Sequence, residues 1–469
     1  MSNAPLFSAE TYQQRRQQLA SQLQGQGIAL IMGNIDSPMN YLHNIYPFRQ
    51  DSCFSYYFGL QAPDLVGVID LDTGNSTMFG DDPNLDAVVW TGPLPVLATR
   101  SARAGITATA TLSALCDVVN QAKAQGRSIH YLPPYRGETV ITLADLLGTT
   151  PAAIKAGASV PLIKAVVAQR EIKSADEISE MTAALEITAQ VHELAMRLTK
   201  PGRFEYEIVG AMEGLLRSHD LQLAYPSIFS KRGEVLHNGS HLNQLQDGDW
   251  VVNDTGTNSR MNYASDITRT LPVSGQFTER QKALYNITLD AQLAAIAMMK
   301  PGVTNLAVHK HACQKLVEGL IPLGLFKGDP AEIVDSGAYA LVFQCGLGHQ
   351  IGMDVHDMEN LGEAYVGYDE HNARSTLFGM RNLRMGKAYK TGMVMTVEPG
   401  LYFIPQQIDM WAAENRHAHL INYDTFQQYK DAGGVRIEDE VLITDTGCRV
   451  IGKPIPKTVD EVEALMGIG

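Results

Sequence analysis

The stretch "NDTGTNSRMNYASDITRT", residues 253–270, reads as two strands joined by a polar turn. "DWVVNDT" leads in and "YASDITRTLPV" leads out. A turn centred on Arg260 sets Asp254 and Asp266 directly opposite each other, where like charges repel and weaken a sheet. Something must balance them.

Three later segments share the oddity, with acidic or imidazole groups inside apolar, strand-like runs. In "CGLGHQIGMDVHD" (345–357), His349 follows a glycine-rich approach and His356 lies seven positions on. Glu398 ends the apolar run of "GMVMTVEPGLYF" (392–403). In "GGVRIEDEVLIT" (433–444), alternation puts Arg436, Glu438 and Glu440 on one face and Val435, Ile437 and Val441 on the other.

Buried carboxylates are costly unless paired with cations or a metal. Asp254, Asp266, Glu398 and Glu438 carry four negative charges when ionised, which two divalent cations balance, with His349 as a neutral nitrogen ligand. Oxygen donors plus one imidazole, without thiolate, suit Mn²⁺, Co²⁺ or Zn²⁺, with Mn²⁺ the first expectation. Paired ions about 3.5–4 Å apart activate water and polarise a carbonyl.

Taken singly, these residues have plainer readings. "DTG" recurs at 72–74 and 445–447 as turn chemistry, which weakens an aspartic-protease dyad; such a dyad would use only two of the acids. His349 alone reads as a hydrogen-bonded core histidine, Glu398 as a solvated strand end, and Glu438 as a surface partner of Arg436. The common setting of all five favours the metal reading. "HELAM", starting at His192, is not H-E-x-x-H, so that zinc-protease motif is absent.

At 469 residues the chain is long for one domain, and a break is expected near residue 165. Before it, "GIALIMG" (27–33), "LVGVIDL" (65–71) and "SIHYLP" (128–133) alternate with helical stretches, as in a small α/β domain. After it, Ser174 and Glu177 form a capping box that starts a long helix, which "KPG" at 200–202 ends. The pattern then repeats. "AMRLTKPGRFEYEIVGAMEGLL" has a counterpart in "AAIAMMKPGVTNLAVHKHACQKL", with a second "KPG" at 300–302. Apolar or small residues match at Ile208 and Val308, Met212 and Ala312, Leu216 and Leu316. A duplicated α+β domain follows, with antiparallel sheet under helices.

Net charge is 37 − 51 = −14 with no basic cluster, which argues against nucleic acid or an anionic membrane as partner. No apolar run reaches the roughly 18 residues of a membrane span. The opening "MSNA" begins no charged-then-apolar signal pattern. Five scattered cysteines without C-x-x-C read as reduced thiols in a cytoplasmic protein.

The order Asp, Asp, His, Glu, Glu in "NDTG…ASDITRT", "GLGHQIGMDVHD", "TVEPGLY" and "GVRIEDEV" resembles the proline-specific metallopeptidases of the pita-bread fold, the prolidases and aminopeptidases P. "PFRQDSCFSYYFGL" (47–60) looks like that family's first domain. The resemblance implies an α+β, pseudo-twofold pita-bread domain at 166–469, preceded by a smaller creatinase-like α/β domain at 1–165. It implies that Asp254, Asp266, His349, Glu398 and Glu438 bind two metals, and that Glu398 takes the proton of the attacking water. By the same resemblance His237, in "VLHNG", lies near the scissile bond and His356 contacts substrate. Arg436, grouped with these substrate-side residues, supports the ligand carboxylates.

Two features resemble the dipeptidase branch. Arg384, in "GMRNLRMGKAYK", matches an arginine that pairs with the substrate's C-terminal carboxylate, for which an arginine fork is a good partner. The long segment between Glu398 and Glu438 is also prolidase-like. Two features depart from the family: the hairpin has one residue more between its aspartates, and Cys345 stands where a histidine is usual. A thiol cannot reproduce an imidazole's hydrogen bonding. The expected function is hydrolysis of Xaa-Pro dipeptides, with partners limited to small peptides carrying proline second, and a homodimer as assembly. The alternatives are an aminopeptidase P acting on longer Xaa-Pro peptides and a non-catalytic binding protein of the same fold.

Overall fold

Short apolar runs between turn residues become the strands of a five-stranded sheet early in the chain: β1 (Ile28–Met32), β2 (Val66–Asp70), β3 (Ser76–Phe79), β4 (Ala108–Ala110) and β5 (Ile129–Tyr131). The spatial order is β4-β3-β2-β1-β5, with β1–β5 and β3–β4 parallel and the inner pairs antiparallel. Helices Ala114–Ala124 and Gly137–Leu147 cover it, burying Val119, Ala122, Leu143 and Ala144 against Leu30, Val68 and Phe79. The computed structural model describes residues 6–25 and 27–467, so "MSNA" lies outside the described residues. Met1–Arg170 together with Met358–Val366 form one compact unit; Glu171–Asp357 and Gly367–Gly469 form a second.

In the second unit the "KPG" duplication holds down to single hydrogen bonds. The helix Ala175–Leu198, opened by the Ser174–Glu177 capping box, is followed by the helix Glu205–Ser218; Glu279–Met298 is followed by Asn305–Leu320. Gly202 and Gly302 sit at φ of 88° and 85°, a left-handed conformation that glycine adopts without steric cost. Their N–H groups donate to Leu245 O and Tyr389 O respectively, and the N–H groups of Glu205 and Asn305 to Asn243 O and Lys387 O. The matched positions Ile208, Met212 and Leu216, and Val308, Ala312 and Leu316, are all buried.

Each half carries a three-stranded antiparallel sheet. The first joins β6 (Ile228–Ser230), β7 (Trp250–Asp254) and β8 (Thr268–Pro272). The second is built from β9 (Val394–Val397), with β10 (Gly400–Tyr402) and β11 (Gly434–Arg436) as a separate pair, then β12 (Asp439–Ile443) and β13 (Cys448–Val450), ordered β13-β12-β9. Met395, Val397, Val441 and Ile443 bury one face of this sheet against Ala295, Val308 and Ala312. The halves meet where the Glu438 N–H donates to Thr268 O and Thr270 Oγ1 bonds both the N–H and the carbonyl of Arg436. No helix among the described residues is long and apolar enough to cross a membrane.

The hairpin register differs from expectation by one residue. Asp254 lies opposite Thr268, and the same ladder continues through Asn258 and Ala264, which centres the turn on Met261 rather than Arg260. Asp266 is therefore diagonal to Asp254, on the same face, rather than directly opposite. The turn sets the shift: Asn262 adopts φ 64°, its N–H donates to Ser259 O, and Ser259 N–H donates to Tyr263 O.

Candidate metal centre

Each half supplies part of the cluster. β7 ends on Asp254, and Asp266 follows the turn just before β8. His349 comes from an irregular segment beside β9, tied to it by the Thr396 N–H to His349 O and Glu398 N–H to Leu347 O bonds. Only glycine fits at 348, where a Cβ would lie 2.0 Å from Thr396 O. Glu398 leaves the end of β9, and Glu438 sits at the break between β11 and β12, held by its bond to Thr268 O.

Asp266, His349 and Glu438 each place one ligand atom within 4.8 Å of the others. His349 Nε2 lies 3.3 Å from Asp266 Oδ2 and 3.7 Å from Glu398 Oε1. Its Nδ1 is 3.1 Å from Gln350 O, so Nδ1 carries the proton and Nε2 faces the carboxylates, the tautomer a metal ligand needs. Asp254 joins through Tyr225, whose hydroxyl reaches both aspartates, 2.6 Å from Asp254 Oδ1.

Arg436 brings a positive charge to these acids. Arg436 is buried and its guanidinium bonds Asp254, Tyr402 Oη at 3.0 Å and Thr268 Oγ1 at 3.1 Å; Thr268 Oγ1 donates to Glu438 Oε2 at 2.6 Å. One guanidinium cannot neutralise four carboxylates. Burial, outweighing Arg436 and reinforced by Asp266, raises the Asp254 carboxyl to about 6. Glu398 rises to about 8 for the same reasons, with Asp254 added, and Glu438 rises well above the carboxylate range through burial and its acidic neighbours. Asp266 goes the other way: burial opposes its ionisation, but the His349 hydrogen bond and charge hold it low.

These residues fit divalent cations. Glu438 Oε1 is buried without a hydrogen-bond partner among the described residues, and Glu438 is one of the three residues of the cluster. A buried carboxylate oxygen with no donor is costly, and a cation supplies what the chain does not.

Substrate-side candidates surround this core. His356 stacks on His349 with ring centroids 3.9 Å apart. His237 is exposed by surface area yet partly desolvated by surrounding atoms, and that desolvation, then Arg436, His356 and Arg384, holds its imidazole below its ordinary value. Arg384 is thus within electrostatic reach of His237. Cys345 places Sγ 4.0 Å from Tyr402 Oη, and burial, then the Glu398 charge, pushes its thiol to about 12, so it stays protonated.

The five ligand candidates, Arg436 and His356 thus lie in one cluster, with His237 and Arg384 within reach of its charge. The structure adds Tyr225, Thr268 and Tyr402, for which motif spacing gave no signal. Glu440 also acquires a role, because its Oε1 accepts the Asp266 N–H at 2.8 Å and so fixes the backbone at that carboxylate.

Comparison with known proteins follows the same division. Metallopeptidase family M24 matches residues 179–445, and the aminopeptidase P N-terminal domain matches residues 12–130. The Xaa-Pro aminopeptidase of Escherichia coli K12 is 31% identical, with 98% of each chain covered. The Xaa-Pro dipeptidase of Homo sapiens is 30% identical over 89% of this chain and 84% of its own. A solved structure of zinc-substituted E. coli aminopeptidase P in complex with product superposes with a TM-score of 0.80 at 28% identity, covering 99% of both chains. The α+β, two-domain fold expected from the motifs is met.

Proposed function

The chain belongs to metallopeptidase family M24, and from that premise we propose that it hydrolyses the Xaa-Pro bond of dipeptides at a centre of two divalent cations. One observation carries this reading: Asp266, His349 and Glu438 converge with Asp254 and Glu398 close by, and one Glu438 oxygen is left without a donor among the described residues. Asp254, Asp266, His349, Glu398 and Glu438 would hold the ions. Mn²⁺ suits a donor set dominated by oxygen, with Co²⁺ and Zn²⁺ as alternatives. When bound, such ions activate water and stabilise negative charge on a carbonyl oxygen.

The remaining roles belong to the chain's own groups. Glu398, whose carboxyl is pushed up to about 8 by burial and by Asp266 and Asp254, is placed to accept the water's proton and return it to the departing proline nitrogen. His237 and His356 orient the substrate and stabilise developing charge. Arg436, buried and bonded to Asp254, Thr268 and Tyr402, holds the ligands rather than the peptide. Arg384, whose charge reaches His237, would pair with a carboxylate one residue beyond the cut, which favours substrates ending there. The five cysteines are all free, which accords with a reducing cytoplasm, and a homodimer is the assembly we propose.

A second reading has its own support. The E. coli aminopeptidase relative matches across 98% of both chains, which favours removal of an N-terminal residue from longer Xaa-Pro peptides. Hydrolysis of Ala-Pro and Ala-Pro-Ala in Mn²⁺, with and without EDTA, tests both. The dipeptidase reading expects EDTA-sensitive cleavage of Ala-Pro, and a KM for it raised about ten- to hundred-fold by Arg384→Ala. Preference for the tripeptide, unmoved by Arg384→Ala, would favour the second reading. Cleavage unaffected by EDTA would defeat both.

A further inference from the structure

The helix Ala175–Leu198 buries three polar residues on the side that meets the hairpin: Glu177, Thr188 and His192. Thr188 and His192 are four residues apart and so share a face. Buried polar side chains are costly unless bonded, and leucine there would pack without that demand. Each of the three bonds the hairpin. Tyr263 Oη donates to Glu177 Oε1 at 3.0 Å near the turn.

The other two contacts bracket the paired aspartates. His192 Nε2–H donates to Thr255 O at 3.0 Å, Asn253 Nδ2–H donates to His192 Nδ1 at 3.2 Å, and Thr255 Oγ1–H donates to Asn253 Oδ1 at 2.9 Å. That closed ring ties together the two residues flanking Asp254. Four positions earlier on the helix, Thr188 Oγ1 lies 2.7 Å from Ser265 Oγ, beside Asp266. Ser265 Oγ–H donates to Thr257 O and accepts the Thr257 N–H, both at 3.0 Å, so Thr188 is the donor in their bond. Successive side chains of extended backbone point to opposite faces. The helix therefore holds Asn253, Thr255 and Ser265 from behind, while Asp254 and Asp266 face the cluster. Burial lowers the His192 imidazole to about 4, which keeps it neutral and keeps its donor and acceptor nitrogens distinct.

We propose that Thr188 and His192 are positioning residues that fix the separation of Asp254 and Asp266 and thereby set the affinity of the centre for divalent cations. This rests on the metal reading above. It also gives "HELAM" a role: the histidine serves the metal site from behind, without being a ligand.

The test is equilibrium Mn²⁺ binding to the full chain by chelator competition, with thermal stability measured alongside. Thr188→Val and His192→Ala are expected to weaken binding about ten- to hundred-fold, the usual effect of removing a group that orients a ligand. His192→Gln, whose amide keeps a donor and an acceptor, is expected to recover most of the loss. Met196→Ala, which opens a buried cavity on the same helix, is expected to lower stability and leave affinity unchanged. Wild-type affinity in both Thr188→Val and His192→Ala would overturn the inference, as would an equal loss in Met196→Ala. Should His192→Ala fail to fold, Thr188→Val against Met196→Ala decides. A wild-type chain that takes up no Mn²⁺ would instead overturn the metal reading, and the positioning role with it.

Discussion

Glu438 and Asp439 are consecutive, both are buried, and the chain treats them in opposite ways. Asp439 receives Arg269 Nη2 at 2.8 Å, Lys457 Nζ at 2.6 Å and Gln292 Nε2 at 3.1 Å. Burial opposes its ionisation, but Arg269 and Lys457 outweigh burial and hold the carboxyl below its ordinary value. Glu438, one residue earlier, faces Asp266, Glu398 and Asp254 and is pushed far upward by burial and by those charges. At this pair the chain neutralises the acid that only holds structure. Where it leaves acids uncompensated, a cation from outside has a place to bind.

The comparison can be broken at several points. The largest effect is expected on catalysis: Glu398→Gln should lower kcat for Ala-Pro by about 10²–10⁴, the range for a lost general base, while Gln292→Ala beside Asp439 leaves it nearly intact. On the structural side, Arg269→Ala removes one partner of a buried pair and should cost about 3–5 kcal/mol in urea denaturation. Glu438→Gln replaces a carboxyl whose charged form burial and its neighbours disfavour, so the metal-free protein should be no less stable than wild type. Metal addition sharpens the contrast. Mn²⁺ at about 100 times its Kd should stabilise wild type by about 2.7 kcal/mol, and Glu438→Gln should lose that gain.

A further effect concerns pH. Burial, reinforced by Asp266 and Asp254, pushes the Glu398 carboxyl from 4.5 up to about 8. Between those values the folded state keeps a proton that the unfolded state has lost, so stability contributed by this group is full below about 4.5 and declines as pH rises toward 8. Denaturation midpoints of EDTA-treated protein at pH 5 and pH 8 should show this fall, and saturating Mn²⁺ should flatten it.

Much of this was legible in the sequence because acids in apolar strands, and a duplicated "KPG", are local signals with physical causes. The duplication is readable because both glycines take the same positive φ at the same point of the chain. Asp254 and Asp266 were recognisable by type, but not their register, because Asn262 shifts the turn centre by one residue and parity counting cannot detect that. Tyr225 precedes Asp254 by 29 residues in an ordinary "LAYPS", and only the folded chain sets its hydroxyl between the two aspartates. His192 was visible as a histidine near an acid, yet its bonds to the hairpin are 61 and 63 positions away in sequence. The strands β3 and β4, four and three residues long, are too short for a period to register.

The central claim is that five side chains from both halves enclose a pair of dications. Anomalous diffraction from crystals grown in Mn²⁺ tests it most directly. Two peaks bounded by Asp254, Asp266, His349, Glu398 and Glu438 are predicted; an empty cluster, or manganese bound only elsewhere, would contradict it.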